Sequence, residues 1–400
     1  MPGLSGLYIN FIKDRAKAGI VVYQEQGGLI MKIMKTLNFI SLRNLSTIVI
    51  AVALAITLPT VVIAQTPAET ANGPGKVLGI AFQGHQVSNL DQSIKFYEAI
   101  DFHLSGEPGD WQVDEAVNRL GGTPGAESRT AIMTIQSSVS DKPFTLILRE
   151  YRGIERQNWG HLSSSDLLSG HIDITVQDDC NPWLEKLKAI DMLRIPEMNL
   201  AGGGSEGGPR RFVFVQDPDG WYIELFAIMP PAPGEPPPGP KVSNSTATFE
   251  NIDRLGKQPG FNHIGLNVVD PVKALAFYQD VLGGDYPPFT PQPAVAGEAP
   301  RMNMLNGWFP QATRDGNLRF ELIKFPQNEG KQPPPQRFAD ISVNYTGFQV
   351  TDIDAVYART KAAGAITVSD GGIVNVSDGR AVILRDPDVG GFVELWEPAK

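Results

Sequence analysis

Apolar and polar residues alternate along much of the chain beyond residue 75, and the alternation is interrupted by segments with helical spacing. At the start of this region, the strand-like segment 76–87 is followed by four apolar residues at the spacing of one helix face, which are Leu90, Ile94, Tyr97 and Ile100. Short segments with alternating apolar and polar residues follow the helix, as expected of half-buried strands. The pattern therefore predicts one strand, one helix and about three further strands.

The same order of elements occurs four times in the sequence. In the second, third and fourth units, the predicted first strand lies in segment 171–178, 261–269 and 345–352, respectively. In the third unit, Asp270 and Pro271 are typical of a helix N-cap and a first helical residue. A unit that repeats in this way indicates a repeated architecture. We predict an α+β fold of four βαβββ units.

A proline-rich segment divides the four units into two pairs. Seven prolines lie between Pro230 and Pro240, and such a segment forms a stiff, extended spacer. We therefore predict a first domain over 76–228, a linker over 229–260 and a second domain over 261–398. The sequence leaves open whether the units pair within or across these two halves.

The N-terminal residues have the pattern of a targeting segment. Thr47–Ala64 is an uncharged, mostly apolar run of 18 residues that follows Lys32, Lys35 and Arg43. A basic region, an apolar region and a small residue before a polar start are typical of a secretory signal peptide. We predict cleavage after Ala64 and a periplasmic or secreted protein. An uncleaved membrane anchor is the alternative, because 18 such residues nearly span a bilayer, and residues 1–64 are left out of the fold prediction.

Charge and cysteine content narrow the kind of site to expect. The net charge is −10, and no basic run interleaved with aromatic residues occurs, which argues against a nucleic-acid surface. The single cysteine, Cys180, excludes an intramolecular disulfide and a cysteine-based zinc cluster. A histidine-based metal site must draw on five residues, which are His85, His103, His161, His171 and His263.

Two turn-and-strand segments are alike in sequence and carry a family resemblance. Asp217-Pro-Asp-Gly and Asp386-Pro-Asp-Val-Gly-Gly each precede a strand that contains a glutamate, Glu224 or Glu394. Together with the His-Ile-Gly-Leu-x-Val-x-Asp motif that begins at His263, they resemble the vicinal-oxygen-chelate superfamily. That superfamily includes glyoxalase I, methylmalonyl-CoA epimerase, extradiol dioxygenases, and fosfomycin and bleomycin resistance proteins. The resemblance implies that βαβββ units pair into cups, and four units imply two such domains.

The resemblance also implies where a metal is held. In this superfamily, one residue of the first strand and one of the last strand of each unit bind the metal. In the second predicted domain, these positions are His263, Glu321, Tyr345 and Glu394. The first predicted domain offers His171 and Glu224 as a second candidate site, with Phe82 and Ile147 at its other two positions.

The residue types at these positions suit a divalent metal such as Zn²⁺, Mn²⁺, Fe²⁺ or Ni²⁺. The resemblance then implies a lyase or isomerase of the glyoxalase kind, which acts on a small oxygen-chelating substrate. Glu321 or Glu394 is the expected general base. Three alternatives stay open: a metal-free small-molecule binding protein of the resistance type, an extradiol-type dioxygenase, and a structural protein with empty cups. The dioxygenase requires two histidines, and each half supplies only one at these positions.

Overall fold

A computed structural model describes residues 75–138, 143–196, 212–228, 258–289, 302–310 and 317–400. All of these residues belong to one compact unit, Gln65–Lys400. The predicted signal peptide and residues 229–257 of the predicted linker lie outside the described residues. Within the described ranges, no helix has the length and apolar character needed to cross a membrane.

The first two units contain seven strands and three helices in the described residues. The first unit comprises β1 (Val77–Val87), α1 (Leu90–Ala99), β2 (His103–Leu104), α2 (Glu115–Gly121), β3 (Glu127–Ile135) and β4 (Phe144–Arg152). The second unit comprises β5 (His171–Gln177), α3 (Asn181–Ala189), β6 (Phe212–Gln216) and β7 (Tyr222–Ile228). The predicted order of strand, helix and strands is confirmed, and α2 is an additional element.

The last two units follow the same order. The third unit comprises β8 (Gly260–Asn267), α4 (Pro271–Tyr278), β9 (Asn303–Pro310) and β10 (Asn317–Lys324). The fourth unit comprises β11 (Asn344–Val350), α5 (Ile353–Ala362), β12 (Ile366–Thr367), β13 (Val374–Val376), β14 (Gly379–Arg385) and β15 (Phe392–Pro398). A short 3-10 turn, Pro326–Asn328, follows β10.

The strands form two sheets, and each sheet combines one unit from each half of the chain. Sheet A has the order β12-β14-β15-β11-β1-β4-β3-β2, with β13 paired to β14, and joins the first and fourth units. Sheet B has the order β6-β7-β5-β8-β10-β9 and joins the second and third units. The α+β fold of four units that pair into two cups is confirmed. However, neither predicted domain, 76–228 nor 261–398, contains a complete sheet.

The pairing of first strands joins the halves. In sheet A, β1 is antiparallel to β11, and in sheet B, β5 is antiparallel to β8. Each of these four strands is also parallel to the last strand of its own unit. The two first strands therefore lie at the centre of each sheet, flanked by the two last strands.

Side chains within the loops start the helices. Asn89 accepts a hydrogen bond from the amide of Gln92, and Asp270 accepts from those of Val272 and Lys273, as N-caps do. The additional helix α2 has the same signals, because Asp114 caps its start and Gly122, at a φ of 64°, ends it. One face of each sheet packs against the helices, and its apolar residues, such as Ile172 and Ile264, form the main core.

Turns hold the two units of each half together. His85 in β1 contacts the Asp217 carboxylate at 2.8 Å, with both side chains fully buried, and Asp219 accepts from the Ser88 amide. The fourth unit contacts the third in the same way, because Asp388 accepts from the amide of Val269 at 2.9 Å. Turns therefore link neighbouring units along the chain, whereas strand pairing links the two halves.

Candidate metal centre

Four adjacent strands in the middle of sheet B place polar side chains on the face opposite the helices, which we call the site face. In one row across the sheet, Glu224 (β7) pairs with Asp173 (β5), and Asp173 pairs with His263 (β8). Arg319 (β10) pairs with His263 and extends this row. Because paired residues point to the same face, these four side chains lie on one surface.

The neighbouring row adds two more polar side chains. His171 in β5 pairs with Gly265 in β8, which pairs in turn with Glu321 in β10. The glycine has a direct role, because a Cβ atom at position 265 would lie 2.1 Å from Cε1 of His171. The absence of a side chain there lets the imidazole of His171 lie across β8 and meet His263.

Donor atoms of His171, His263 and Glu321 lie within 4.8 Å of one another, and a carboxylate oxygen of Glu224 lies close to both imidazoles. Nε2 of His171 lies 3.2 Å from Nε2 of His263 and 3.2 Å from Oε2 of Glu224. Nε2 of His263 lies 3.3 Å from Oε2 of Glu321 and 3.7 Å from Oε2 of Glu224. The side chains of these residues are between 2% and 13% exposed, so bulk water does not separate them.

Neighbouring side chains fix the orientation of this group. Nδ1 of His263 lies 3.1 Å from Oδ1 of Asn262. The amide nitrogen of Asn262 donates to Ser138, which leaves its oxygen to accept from His263, so we assign a proton to Nδ1 of His263. Arg319 donates to Oε1 of Glu321 and to Asn306, so that Oε2 of Glu321 faces His263.

Burial and neighbouring charges shift the pKa values of these residues in different directions. Burial lowers the pKa of His171 to about 4, so its imidazole is neutral at pH 7. Burial raises the pKa of Asp173 to about 8 and that of Glu224 to about 7. Burial also acts to raise the pKa of Glu321, but the His263 imidazole and the Arg319 guanidinium outweigh it and lower that pKa to about 2.

The geometry and charge of this group fit a divalent cation. Metal bonds of about 2.0–2.2 Å place the ligands of a tetrahedral ion about 3.3–3.6 Å apart, close to the 3.2 and 3.3 Å that separate the nearest donor pairs here. Three buried carboxylates face a single guanidinium, and a bound cation would favour their ionised forms. Two imidazoles and two carboxylates form a donor set that Zn²⁺ and similar ions prefer.

The grouping differs from the one predicted. His263 and Glu321 do lie together, but His171 completes their group and Glu224 contacts both imidazoles. His171 and Glu224 were predicted as a separate second site. Tyr345 and Glu394, the other two predicted ligands, lie in sheet A. The reason is the pairing of β5 with β8, which joins the two candidate sites into one.

The equivalent positions of sheet A carry a different chemistry. Tyr345 pairs with Gly84 as His171 pairs with Gly265, and the remaining equivalent positions hold Phe82, Ile147 and Glu394. Phe82 and Tyr345 contact each other edge to face at 6.0 Å between ring centroids. Burial raises the pKa of Glu394 to about 7, while the Arg149 guanidinium opposes that rise. This surface holds one carboxylate and no histidine among the four positions.

Three residues near the centre were not predicted from the sequence. Asp173 and Arg319 lie two residues from predicted ligands, on the same face of their strands, and Asn262 adjoins His263. The signal for the first two was their parity with His171 and Glu321, because a charged residue at every second position of an apolar strand marks one polar face. Asn262 had no such signal.

The chain has similarity to known proteins. Residues 260–390 match the family model described as the Glyoxalase/Bleomycin resistance protein/Dioxygenase superfamily. A mutant glyoxalase I from Zea mays is 18% identical, with 83% of this chain and 95% of that chain covered and a TM-score of 0.47. The trypanothione-dependent glyoxalase I of Leishmania major is 24% identical over 36% of this chain and 82% of that one, with a TM-score of 0.24.

A genomically encoded fosfomycin resistance protein from Listeria monocytogenes is 19% identical over 35% of this chain and 92% of that one, with a TM-score of 0.23. The chain has no match among the curated proteins. The family match covers β8 and β10, the strands that carry His263 and Glu321, and it confirms the resemblance seen in the sequence. Residues 260–390 therefore belong to the Glyoxalase/Bleomycin resistance protein/Dioxygenase superfamily.

Proposed function

We propose that the protein is a glyoxalase-like metalloenzyme, a lyase or isomerase that acts on a small substrate with two adjacent oxygen atoms. The observation that carries the proposal is the convergence of His171, Glu224, His263 and Glu321, with neighbouring donor atoms 3.2–3.7 Å apart. These four side chains would hold a divalent metal. When bound, such an ion supplies Lewis-acid stabilisation of negative charge on a substrate oxygen.

The two glutamates have different freedom to move. Glu321 is 2% exposed and is held through Oε1 by Arg319, so it suits a fixed ligand. Glu224 is 13% exposed, and its carboxylate contacts the two imidazoles. We therefore assign the general base to Glu224, which takes a proton from a substrate carbon and returns it to the adjacent one. This assignment replaces the predicted pair of Glu321 and Glu394.

An extradiol-type dioxygenase is the second candidate. Two histidines and one carboxylate on one face are the ligands of many non-haem iron oxygenases, and His171, His263 and Glu321 form such a set. The fourth donor, Glu224, favours the lyase or isomerase, because a dioxygenase needs open positions for oxygen and substrate. A metal-free binding protein of the resistance type is disfavoured by the three buried carboxylates.

Metal content and turnover test this proposal. The purified chain should carry about one divalent metal per molecule, measured by elemental analysis, and chelation should abolish proton exchange at the α-carbon of an enolisable hydroxycarbonyl such as the methylglyoxal–thiol adduct. Glu224→Gln should retain most of the metal and lose the exchange. A chain that takes up no metal after reconstitution would overturn the proposal, and oxygen consumption with a catechol would favour the dioxygenase.

We also propose that the protein works in the periplasm or outside the cell, on the strength of the Thr47–Ala64 segment. Expression with its own N-terminus, followed by fractionation and N-terminal sequencing, tests this. Mature protein that begins at Gln65 in the soluble extracytoplasmic fraction is the expected result. Uncleaved protein in the membrane fraction would support the anchor, and protein in the cytoplasm would contradict both.

A further inference from the structure

A row of aromatic side chains leads from the candidate metal centre to the edge of sheet B. The ring of His171 contacts Phe214 of β6 edge to face, with 5.4 Å between ring centroids. Phe214 contacts Phe212 in the same way at 5.2 Å. Phe212 pairs across the sheet with Phe226 of β7, which lies two residues beyond Glu224 on the same face. The row therefore begins at a candidate ligand and ends at Phe226.

The last ring in the row is exposed to solvent. Phe226 is 43% exposed, and among the large exposed hydrophobic side chains of the described residues it is the only aromatic one. Met304, on the opposite side of the site face, is also 43% exposed. Single exposed apolar side chains are common on protein surfaces. These two, however, flank the donor group from both sides.

We infer that the substrate carries an aromatic or similarly flat apolar group beside its two oxygens, and that this group lies against Phe226. The inference rests on the proposed function, because the oxygens have to be held at the metal centre. A ring that approaches Phe226 edge to face or offset-stacked gains aromatic contact energy in addition to apolar burial. Phe212, the strand partner of Phe226, lies beside it on the same face and extends the apolar surface that such a group would meet.

Two hydroxamates that differ only in their apolar group test this inference. Acetohydroxamate and benzohydroxamate chelate through the same pair of oxygens, so the difference in their affinities reports the contact made by the phenyl ring. We expect benzohydroxamate to bind the metal-loaded full chain at least about tenfold more tightly by calorimetry. Phe226→Ala should remove most of that difference and leave acetohydroxamate affinity unchanged, with Phe226→Leu intermediate.

Ile132→Ala is the matched control, because Ile132 is 43% exposed in the same way on sheet A, and it should change neither affinity. Equal binding of the two hydroxamates, or a phenyl preference that survives Phe226→Ala, would overturn the inference while leaving the metal centre intact. Metal content is measured on every sample. A chain without metal would overturn the proposed function and this inference together, so the two failures are distinguishable.

Discussion

Sheets A and B have the same central strand arrangement, yet at the equivalent positions of the described residues it is sheet B that brings together the donors of a candidate metal centre. At corresponding positions, sheet B holds two histidines and two glutamates, whereas sheet A holds Phe82, Tyr345, Ile147 and Glu394. The backbone geometry is shared in detail, because a glycine lies beneath the ring in both sheets, Gly265 under His171 and Gly84 under Tyr345. The fold therefore provides the positions, and the side chains decide the chemistry.

The two sheets also differ in the side chains that cover the face opposite the helices. Leu120 of helix α2, together with Phe338, Tyr345 and Phe392, forms a separate hydrophobic cluster on sheet A. Phe338 contacts both Tyr345 and Phe392, at 4.9 and 5.5 Å between ring centroids. The energy that sheet A gains by burying apolar surface is absent from the site face of sheet B, where buried carboxylates need a compensating charge. One sheet serves stability, and the other is suited to binding.

Removal of one histidine should have the largest effect on metal binding and should distinguish the role of sheet B from that of sheet A. His263→Ala removes one of four donors and is expected to lower metal affinity by more than about 100-fold. This loss exceeds the one typical of removing a side chain that only hydrogen-bonds to a metal ligand. Phe82→Ala, at the corresponding position of sheet A, should leave metal content unchanged. Elemental analysis and metal titration of both variants check this, and metal loss from the Phe82 variant would contradict it.

Truncation of Tyr345 should have the opposite result, with a loss of stability and no change in metal affinity. Its ring is 2% exposed and contacts Phe338 and Phe82, so Tyr345→Ala should lower the free energy of unfolding by about 3–5 kcal/mol. Metal affinity of the folded protein should stay the same. Tyr345→Phe retains the ring and should change stability by less than about 1.5 kcal/mol. Chemical denaturation measures both, and metal loss in the folded alanine variant would show that Tyr345 is a ligand.

Substitution of the two glycines should have smaller effects, and the same change can be made at the corresponding position of each sheet. In Gly265→Ala, the new Cβ would lie 2.1 Å from His171, so the imidazole has to move and metal affinity should fall about 10- to 100-fold. In Gly84→Ala, the Cβ would lie 1.9 Å from Tyr345, and stability should fall by about 1–3 kcal/mol without change in metal affinity. Equal metal affinity in both variants would be evidence against the placement of His171.

Loss of the contact that orients His263 should have the smallest effect. Asn262→Ala removes the acceptor 3.1 Å from Nδ1 of His263 and should lower metal affinity about tenfold. Sheet A has alanine at the corresponding position, Ala81, so the backbone tolerates the change. Asn375→Ala, an exposed asparagine in β13, is the control. An unchanged metal affinity would mean that Asn262 does not set the orientation of the imidazole.

The sequence was sufficient to predict the unit and the positions within it. Side-chain caps at Asn89, Asp270 and Asp352 mark where three of the four first strands end, and two of these strands carry His263 and Tyr345. The turn at Asp217 marked the last strand of its unit in the same way. These signals are local, since each depends on contacts between residues that are close in the chain.

The choice of partner for each first strand was not predictable from the sequence. The first strands of all four units are similarly apolar, and nothing local distinguishes the pairing of β5 with β8 from a pairing within one half. Strand pairing over such distances depends on tertiary packing. The error in grouping Tyr345 and Glu394 with His263 followed from this single choice, because β11 and β15 belong to sheet A and β8 belongs to sheet B.

The crossed pairing of the halves affects the order in which the protein is assembled during synthesis. The first half emerges from the ribosome with β1 and β5 each lacking one neighbour, because their antiparallel partners β11 and β8 are made later. Until then, two central strands are exposed as sheet edges that other chains can pair with. The interval is longest for β1, whose partner begins at Asn344. We expect nascent first halves to depend on a chaperone until translation reaches the fourth unit.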